Sequence, residues 1–488
     1  MKEKRAPAKS RSTSVNKSKY AQYFTPSVVA DFMVGMFADD RQTQATILDP
    51  GAGEGILGLS LAERLSSQGI EVSTTLIEVD AQVFQTLKSN AKSSSDNQIT
   101  SLINGDFLKE GFNCLNEGKS FSHVIMNPPY FKLQRDSAVS GYLMSGGINA
   151  TNIYVAFMWL GLKLLSDNGQ LVAIVPRSFC NGPYFLKFRE YLAEHVSIEA
   201  MHTFNSRDKV FSKDQVLQEN LIIRFAKKPQ AETVTVTYSA DQRFSDVQEA
   251  KFTSTEIIHT TELDSTICIP PYLTTAKLTD FTGYALSDTG LQVSTGPVVD
   301  FRQKEFISNE NSAGSVPLLY PAHMKDGQIV WPIDNLPKKG QYYSPRSSLL
   351  DGIDAALGGD KNILPANGYY VVIRRFSSKE ERRRIYASVV DPAIHPYGIA
   401  FENHLNYFHV KKQGFDKELA YGLSAYLSSS LVDEHFRTFS GHTQVNATDL
   451  RNLPYPSKLQ LRGIGRIALE AAAPIETVVT EEVLRECA

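Results

Sequence analysis

The amino-acid sequence predicts an α/β protein: a doubly wound, mostly parallel sheet with one antiparallel strand, followed by a C-terminal α+β domain. Three observations predict it. Short apolar segments alternate with stretches of helical periodicity from Thr46 to Ala193, the sequence form of a parallel sheet with helices on both faces. A glycine-rich turn, Asp49-Pro-Gly-Ala-Gly-Glu-Gly55, stands between the first apolar segment and its helix. Two apolar segments at 197–203 and 221–226 close the series with no convincing helix between them, so one of the pair should run antiparallel.

Each element follows from local chemistry. Residues 1–18 are rich in Lys, Ser and Ala without periodicity and read as a basic disordered arm. Thr25-Pro26 reads as a helix N-cap followed by proline at the first helical position, ahead of an apolar stripe of Val28, Val29, Phe32, Met33 and Met36. Strands are expected at 46–48, 72–79, 101–104, 123–126 and 171–175, and helices at 56–65, 81–91, 152–165 and 185–193. Asn168-Gly169 should close the 152–165 helix as a left-handed cap. Periodicity fades near Lys228, which divides the chain into domains at 19–239 and 240–488, the second ending in helices at 417–431 and 459–472.

Length and composition exclude several classes. At 488 residues and ~100–200 residues per domain, two domains fit. With 42% hydrophobic and 21% charged residues, the chain is neither disordered nor fibrous. No apolar run approaches the ~20 residues of a membrane-spanning helix, and Ser and Thr rather than an apolar segment follow the basic first residues. A cytoplasmic monomer without a membrane partner is the expectation. Cys114, Cys180, Cys268 and Cys487 stand far apart with no Cys-x-x-Cys, which argues against a disulfide framework or a zinc site, and no metal is expected. Lys plus Arg number 50 against 53 for Asp plus Glu, a net charge of -3, so a nucleic-acid face has to be local. Arg374, Arg375, Arg382, Arg383 and Arg384 form the best candidate, with the N-terminal arm as a second.

In a doubly wound sheet, ligands bind beyond the carboxyl ends of the strands, and the informative residues stand there. The glycine turn, with Asp49, Gly51 and Gly53, lets a ligand approach the backbone; lacking Gly-x-x-x-x-Gly-Lys-Ser/Thr, it is not a triphosphate loop. Glu78 ends the second strand, where a carboxylate can accept from both ribose hydroxyls. Asp106-Phe107 ends the third, offering an acceptor for an exocyclic amine and an apolar face for a purine. Any one of these is also what an ordinary strand end carries; the three together suit a nucleoside. Asn127-Pro-Pro-Tyr130 ends the fourth strand. Its two prolines remove two donors, leaving the Pro128 carbonyl to accept, and Asn127 adds a side-chain acceptor. Two acceptors converging on an amino group localise its lone pair, and Tyr130 can stack on the ring that carries it.

The order Phe24-Thr-Pro26, Asp49 to Gly55, Glu78-Val-Asp80, Asp106-Phe107, Asn127 to Tyr130 resembles the gamma-class, TaqI-like adenine-N6 amino methyltransferases of DNA restriction-modification systems. The resemblance implies an S-adenosylmethionine-dependent methyltransferase sheet. Carried over by position, Phe24 and Thr25 border the methionine part of S-adenosylmethionine, Asp49 and Gly51 its amino acid end, Glu78 the ribose, and Val79, Asp106 and Phe107 the adenine. Asn127, Pro128 and Tyr130 engage a flipped adenine, with Phe211 on its opposite face, although the loop holding Phe211 is about two residues longer than the family's.

Val293 to Arg302 and Ser440 to Arg451 resemble segments of the PstI and BsuBI modification methylases. That implies a type II modification enzyme for double-stranded DNA, acting at a short palindrome such as CTGCAG, with a cognate restriction endonuclease as a separate protein. The polar run from His442 to Asp449 offers base readers: Gln444 and Asn446 suit adenine edges, and Arg302 or Arg451 guanine or phosphate. Cytosine-C5 chemistry is excluded, because none of the cysteines follows a proline. Cytosine-N4, RNA-base and protein-glutamine methylation remain alternatives, as does a DNA-binding relative without catalysis.

Overall fold

The computed structural model describes residues 25–38, 42–93, 99–133, 138–204, 220–260, 265–270, 283–312, 314–334, 336, 340–344, 360–377, 381–440, 443–470, 477 and 479. Phe24, Phe211, His442, Cys487 and the N-terminal arm lie outside the described residues. The chain divides into two compact units, Met1–Pro270 and Pro271–Ala488.

The first unit is built on strands β1 (Gln44–Asp49), β2 (Glu71–Glu78), β3 (Ile99–Asn104), β4 (Phe121–Met126), β5 (Leu165–Pro176), β6 (Ser197–Phe204), β7 (Asn220–Ala226), β8 (Thr233–Ser239) and β9 (Gln248–Thr253). Among the described residues they form one sheet in the order β3-β2-β1-β4-β5-β7-β6-β8-β9. Helices α1 (Ser27–Gly35), α2 (Ile56–Ser67), α3 (Ala81–Ser93), α4 (Phe107–Asn116), α5 (Ala138–Ser145), α6 (Ile153–Lys163) and α7 (Leu186–His195) accompany it. One face buries Val29, Ala30 and Met33 of α1 and Leu57, Leu61 and Leu65 of α2 against Ile47, Ile125, Val172, Ile174 and Ile222. Helix α6 is buried at every position from Ile153 to Leu162, so its sequence is apolar all round rather than striped.

Four expectations change. The sheet has two reversed strands rather than one: β7 runs antiparallel to β5 and β6, and β9 antiparallel to β8. The first unit extends past 239 to Pro270. Strand β9 pairs with β8 over six residue pairs, buried Arg189 of α7 bonds the Ser265 carbonyl, and the Tyr238 hydroxyl donates to the Pro270 carbonyl at 2.8 Å. Asn168 is left-handed, φ 63°, but helix α6 has already ended at Lys163. Asn168 and Gly169 instead shape an irregularity in β5, where a Cβ on Gly169 would meet the carbonyls of Ser166, Phe121 and Ser122 at 2.9–3.1 Å. Pro26, extended at φ -62° and ψ 147°, is itself the N-cap of α1, which frees Thr25 for another contact.

The second unit is α+β. A six-stranded sheet runs Gln292–Thr295, Leu405–His409, Tyr370–Arg374, Ala387–Val390, Gln328–Ile329, Met324–Lys325, and a five-stranded sheet runs Ile307–Ser308, Tyr342–Tyr343, Val316–Leu319, Ile399–Phe401, Ile363–Leu364. The expected 417–431 helix is two, Lys417–Leu427 and Ser430–Phe439, because the Ser429 side chain accepts from the Val432 amide and caps the second. Helix Lys458–Glu470 crosses Lys417–Leu427 with backbones touching: a Cβ on Gly422 would stand 1.7 Å from the Leu461 carbonyl oxygen, and one on Gly465 1.8 Å from that of Glu418. Among the described residues, no helix is long and apolar enough to cross a membrane.

Candidate active site

The strand order reverses between β1 and β4, which are parallel neighbours, so the turns after these strands share the crevice where α/β sheets bind ligands. After β1, the turn passes through Gly53 and Gly55 in the left-handed region, φ 57° and 93°. A Cβ on Gly53 would meet nothing within 4 Å, so the space over the turn is open. Asp49 is fully buried. Its Oδ2 accepts from the Gly58 amide at 3.0 Å, a contact allowed by close packing of α2 on β1, since a Cβ on Gly58 would stand 2.4 Å from Leu76. Burial pushes the Asp49 carboxyl up to about 7, against the lowering influence of the Gly58 hydrogen bond and the nearby Gly51 amide. Its Oδ1 is buried with no partner among the described residues.

Glu78, 4% exposed, accepts from the Gly53 amide through Oε2 at 2.9 Å and from the Asp80 amide through Oε1 at 2.7 Å, with its carboxyl raised by burial. It therefore ties the glycine turn to the end of β2. Asp106 is exposed and caps α4, its Oδ1 accepting from the Leu108 amide at 2.9 Å. Phe107 does not present an open face: it is buried, tilted against Phe157 with centroids 4.9 Å apart, because α4 packs inward there. Val79, 43% exposed, is the apolar side chain left at the surface.

Beside this cradle, Asn127 is held from two sides. Its Nδ2 donates to Thr25 Oγ1 at 3.1 Å, and the Tyr130 hydroxyl lies 2.8 Å from its Oδ1 and 3.0 Å from the Ile174 carbonyl, its one proton lying between them. The amide plane is thereby fixed with Oδ1 as an acceptor. Among the described residues no donor is bonded to the Pro128 carbonyl. Tyr130 meets buried Tyr154 edge-on at 6.3 Å, and the Tyr154 hydroxyl is 2.7 Å from Ser178 Oγ.

Sequence reasoning passed over the segment after β5. Arg177–Cys180 is a short 3-10 turn. Arg189, 1% exposed, donates to the Phe179 carbonyl at 3.1 Å and the Gly182 carbonyl at 2.9 Å, so a buried cation sets this loop's shape. The only sequence signal was the Asn181-Gly182 pair just past a strand end.

In the second unit, the two expected DNA-reading segments meet. Ser377 donates to the Thr443 carbonyl at 3.1 Å, Phe376 bridges Gln444, and the Val445 amide donates to the Arg375 carbonyl at 2.7 Å. Exposed Phe376 lies over His404, centroids 5.2 Å apart. Arg302 and Arg382 are exposed, and Arg383 and Gln444 half-buried. Other candidates are occupied. Arg384 is 1% exposed, bonded to Ser377 Oγ at 2.9 Å and set over the Phe436 ring, and leaves the phosphate-contacting set. Arg374 pairs with Glu381 at 2.6 Å and covers the Tyr386 ring, and Arg375 reaches the Asn403 carbonyl at 3.4 Å. Arg451 bonds the Val293 carbonyl at 2.9 Å, joining the two segments of C-terminal resemblance. Asn446 and Asp449 form a capping box on Ala447–Arg451, so the Asn446 amide serves a helix end.

A family model described as Eco57I restriction-modification methylase matches residues 58–211. The type II methyltransferase M.BsuBI of Bacillus subtilis is 38% identical over 487 residues, covering 96% of this chain and 94% of the relative. M.PstI of Providencia stuartii is 37% identical over 466 residues, covering 92% and 89%. Among solved structures, the type IIL restriction-modification enzyme MmeI in complex with DNA superposes with a TM-score of 0.50 at 13% identity, over 93% of this chain and 70% of that one. The large, mostly parallel sheet flanked by helices, with further sheets in the second unit, is the methyltransferase fold class expected from the sequence.

Proposed function

Because the chain belongs to the type II restriction-modification methyltransferases related to M.BsuBI and M.PstI, we propose that it is a DNA adenine-N6 methyltransferase that uses S-adenosylmethionine and modifies a flipped adenine in CTGCAG. The observation that carries this is the acceptor pair beyond β4: the Asn127 Oδ1, locked by Thr25 and Tyr130, and the Pro128 carbonyl, to which no donor is bonded among the described residues.

The chain's residues fit the cofactor. Buried Asp49 Oδ1 has an acceptor to spare for an ammonium group, the turn at Gly53 is open, and Glu78, Val79 and Asp106 stand at successive strand ends for the ribose and adenine. When bound, S-adenosylmethionine supplies an electrophilic methyl group. The remaining work is the protein's. The amine hydrogens are drawn toward Asn127 and Pro128, turning the nitrogen lone pair out of the ring plane, and Tyr130 holds the ring by stacking. Because N6 cannot be reached inside a duplex, the base has to leave the stack. Phe211 on the opposite face, an Arg302, Arg382 and Gln444 contact surface, monomeric action, a separate cognate endonuclease and a cytoplasmic setting belong to the same reading.

Modification-sensitive sequencing of DNA from cells expressing the chain reports base, position and motif together. N6-methyladenine confined to CTGCAG is the expected result; N4-methylcytosine, or no modified DNA base, would sink the reading.

A further inference from the structure

Two asparagines beyond the carboxyl end of β5 have no role in what precedes. Asn181 is 2% exposed and Asn220 6% exposed. Among the described residues, neither the amide oxygen nor the amide nitrogen of either has a hydrogen-bond partner. Burying an amide without compensation is costly, and such a group in a folded protein calls for an explanation. Backbone demands do not supply it: Asn181 is extended at φ -146° and ψ -179°, and Asn220 opens a regular strand.

Position supplies it. Asn220 is the ladder partner of Pro176, and Ile222 that of Ile174. Ile174 gives the carbonyl on which Tyr130 rests. Ile125, Ile174 and Ile222 share the core under α1, and side chains two residues apart on a strand share a face. Asn220, two before Ile222, therefore shares that face at the start of β7; Asn127, one residue beyond β4, donates to Thr25 at the head of α1, which packs on the same face, with β5 between the two asparagines. Asn181 follows the turn that leaves β5, in the loop that Arg189 fixes through Phe179 and Gly182.

We propose that Asn181 and Asn220 form the ring-edge half of the target-base site, hydrogen-bonding the nitrogens of the flipped base while Asn127 and Pro128 hold its amino group. A carboxamide offers one acceptor and one donor side by side, the complement of a ring nitrogen next to an exocyclic amine. Such amides wait unpaired until the base arrives and then gain the hydrogen bonds that they lack in its absence. The inference rests on the base-flipping reading.

The test uses the full chain, saturating S-adenosylmethionine and duplexes carrying its mapped site with adenine, 1-deazaadenine or 7-deazaadenine at the target. Leucine, close in volume to asparagine, removes the hydrogen bonds. Asn181→Leu and Asn220→Leu should lower kcat on the adenine duplex about 10- to 100-fold, keep cofactor affinity and keep or raise the thermal midpoint. On the duplex lacking the contacted nitrogen, the loss should largely vanish, because the contact is already gone. Equal losses on all three duplexes, or a lowered thermal midpoint with kcat unchanged, would overturn the assignment. The parental enzyme gives an arm independent of folding: indifference to both nitrogen deletions also overturns it. If the parental product is N4-methylcytosine, the adenine reading alone falls, and 3-deazacytosine replaces the purine analogues with the same expected outcome.

Discussion

The crevice between β1 and β4 and the Arg374 to Arg384 region of the second unit were both assigned from sequence, and the structure treats them differently. In the crevice, buried and half-buried side chains hold one another and leave specific atoms over: Asp49 binds Gly58 with Oδ2 and keeps Oδ1, and half-buried Asn127 is pinned by Thr25 and Tyr130 with its acceptor in place. In the second unit, the same residue types are largely consumed by the fold. Arg384 is core, Arg374 an ion pair, Asn446 a cap. A residue's chemistry predicts function only when the fold has not already used it.

The largest test of that contrast is Asn127→Ala. Turnover should fall about 10²- to 10³-fold, the scale of losing one preorganised polar group, while DNA and cofactor affinities stay near parental in single-turnover and binding assays. Parental turnover would mean that the crevice, too, is only structural.

Next, Arg384→Ala should cost about 3 kcal/mol in urea denaturation, through the cavity and the lost bond to Ser377. Exposed Arg382→Ala should stay within about 0.5 kcal/mol yet weaken DNA binding, with a salt slope shallower by ~0.9. If the two variants change places, the second unit has been misread.

A pH titration sharpens the crevice side. Burial raises the folded Asp49 carboxyl to about 7 from an ordinary 3.8, so the cofactor-free fold takes up a proton relative to the unfolded chain. Its contribution to stability is therefore lost as pH climbs from about 4 through 7, and Asp49→Asn should be the more stable of the two at pH 8. Pairing with an ammonium group needs the carboxylate, so S-adenosylmethionine affinity should weaken below about pH 7, approaching tenfold per unit. Calorimetry giving a flat profile from pH 5.5 to 8 would remove Asp49 from the ammonium contact.

The smallest effect separates neighbours. Asn446→Ala should cost about 1 kcal/mol as a lost N-cap and leave the methylated motif unchanged. Gln444→Ala should leave stability alone and relax one base pair of the motif. A relaxed motif in the Asn446 variant would return it to base readout.

These outcomes bear on what a sequence discloses. The order of β1 to β5 and the positions of Asp49, Glu78, Asp106 and Asn127 at strand ends were legible, because period and turn chemistry are local properties. The fate of Arg384 was not: whether a guanidinium meets phosphate or Phe436 depends on a helix about fifty residues away that no local pattern announces. Phe107 was misplaced for the same reason, since a strand-end aromatic looks alike whether it faces the ligand or Phe157. Asn181 and Asn220 escaped notice because an unsatisfied amide is defined by the absence of neighbours, which only a three-dimensional arrangement reveals.

The extension of the first unit past β8 bears on how such enzymes can be recombined. A chimera spliced at 239 would strip β9 from β8 and leave a bare hydrogen-bonding edge open to association. It would also take Ser265 from Arg189, and with it an anchor of the loop bearing Asn181. Splicing between Pro270 and Pro271 keeps both. Exchange of second units between relatives of this chain therefore has a natural seam at that proline pair, and soluble yield of the two chimeras side by side is the measure of it.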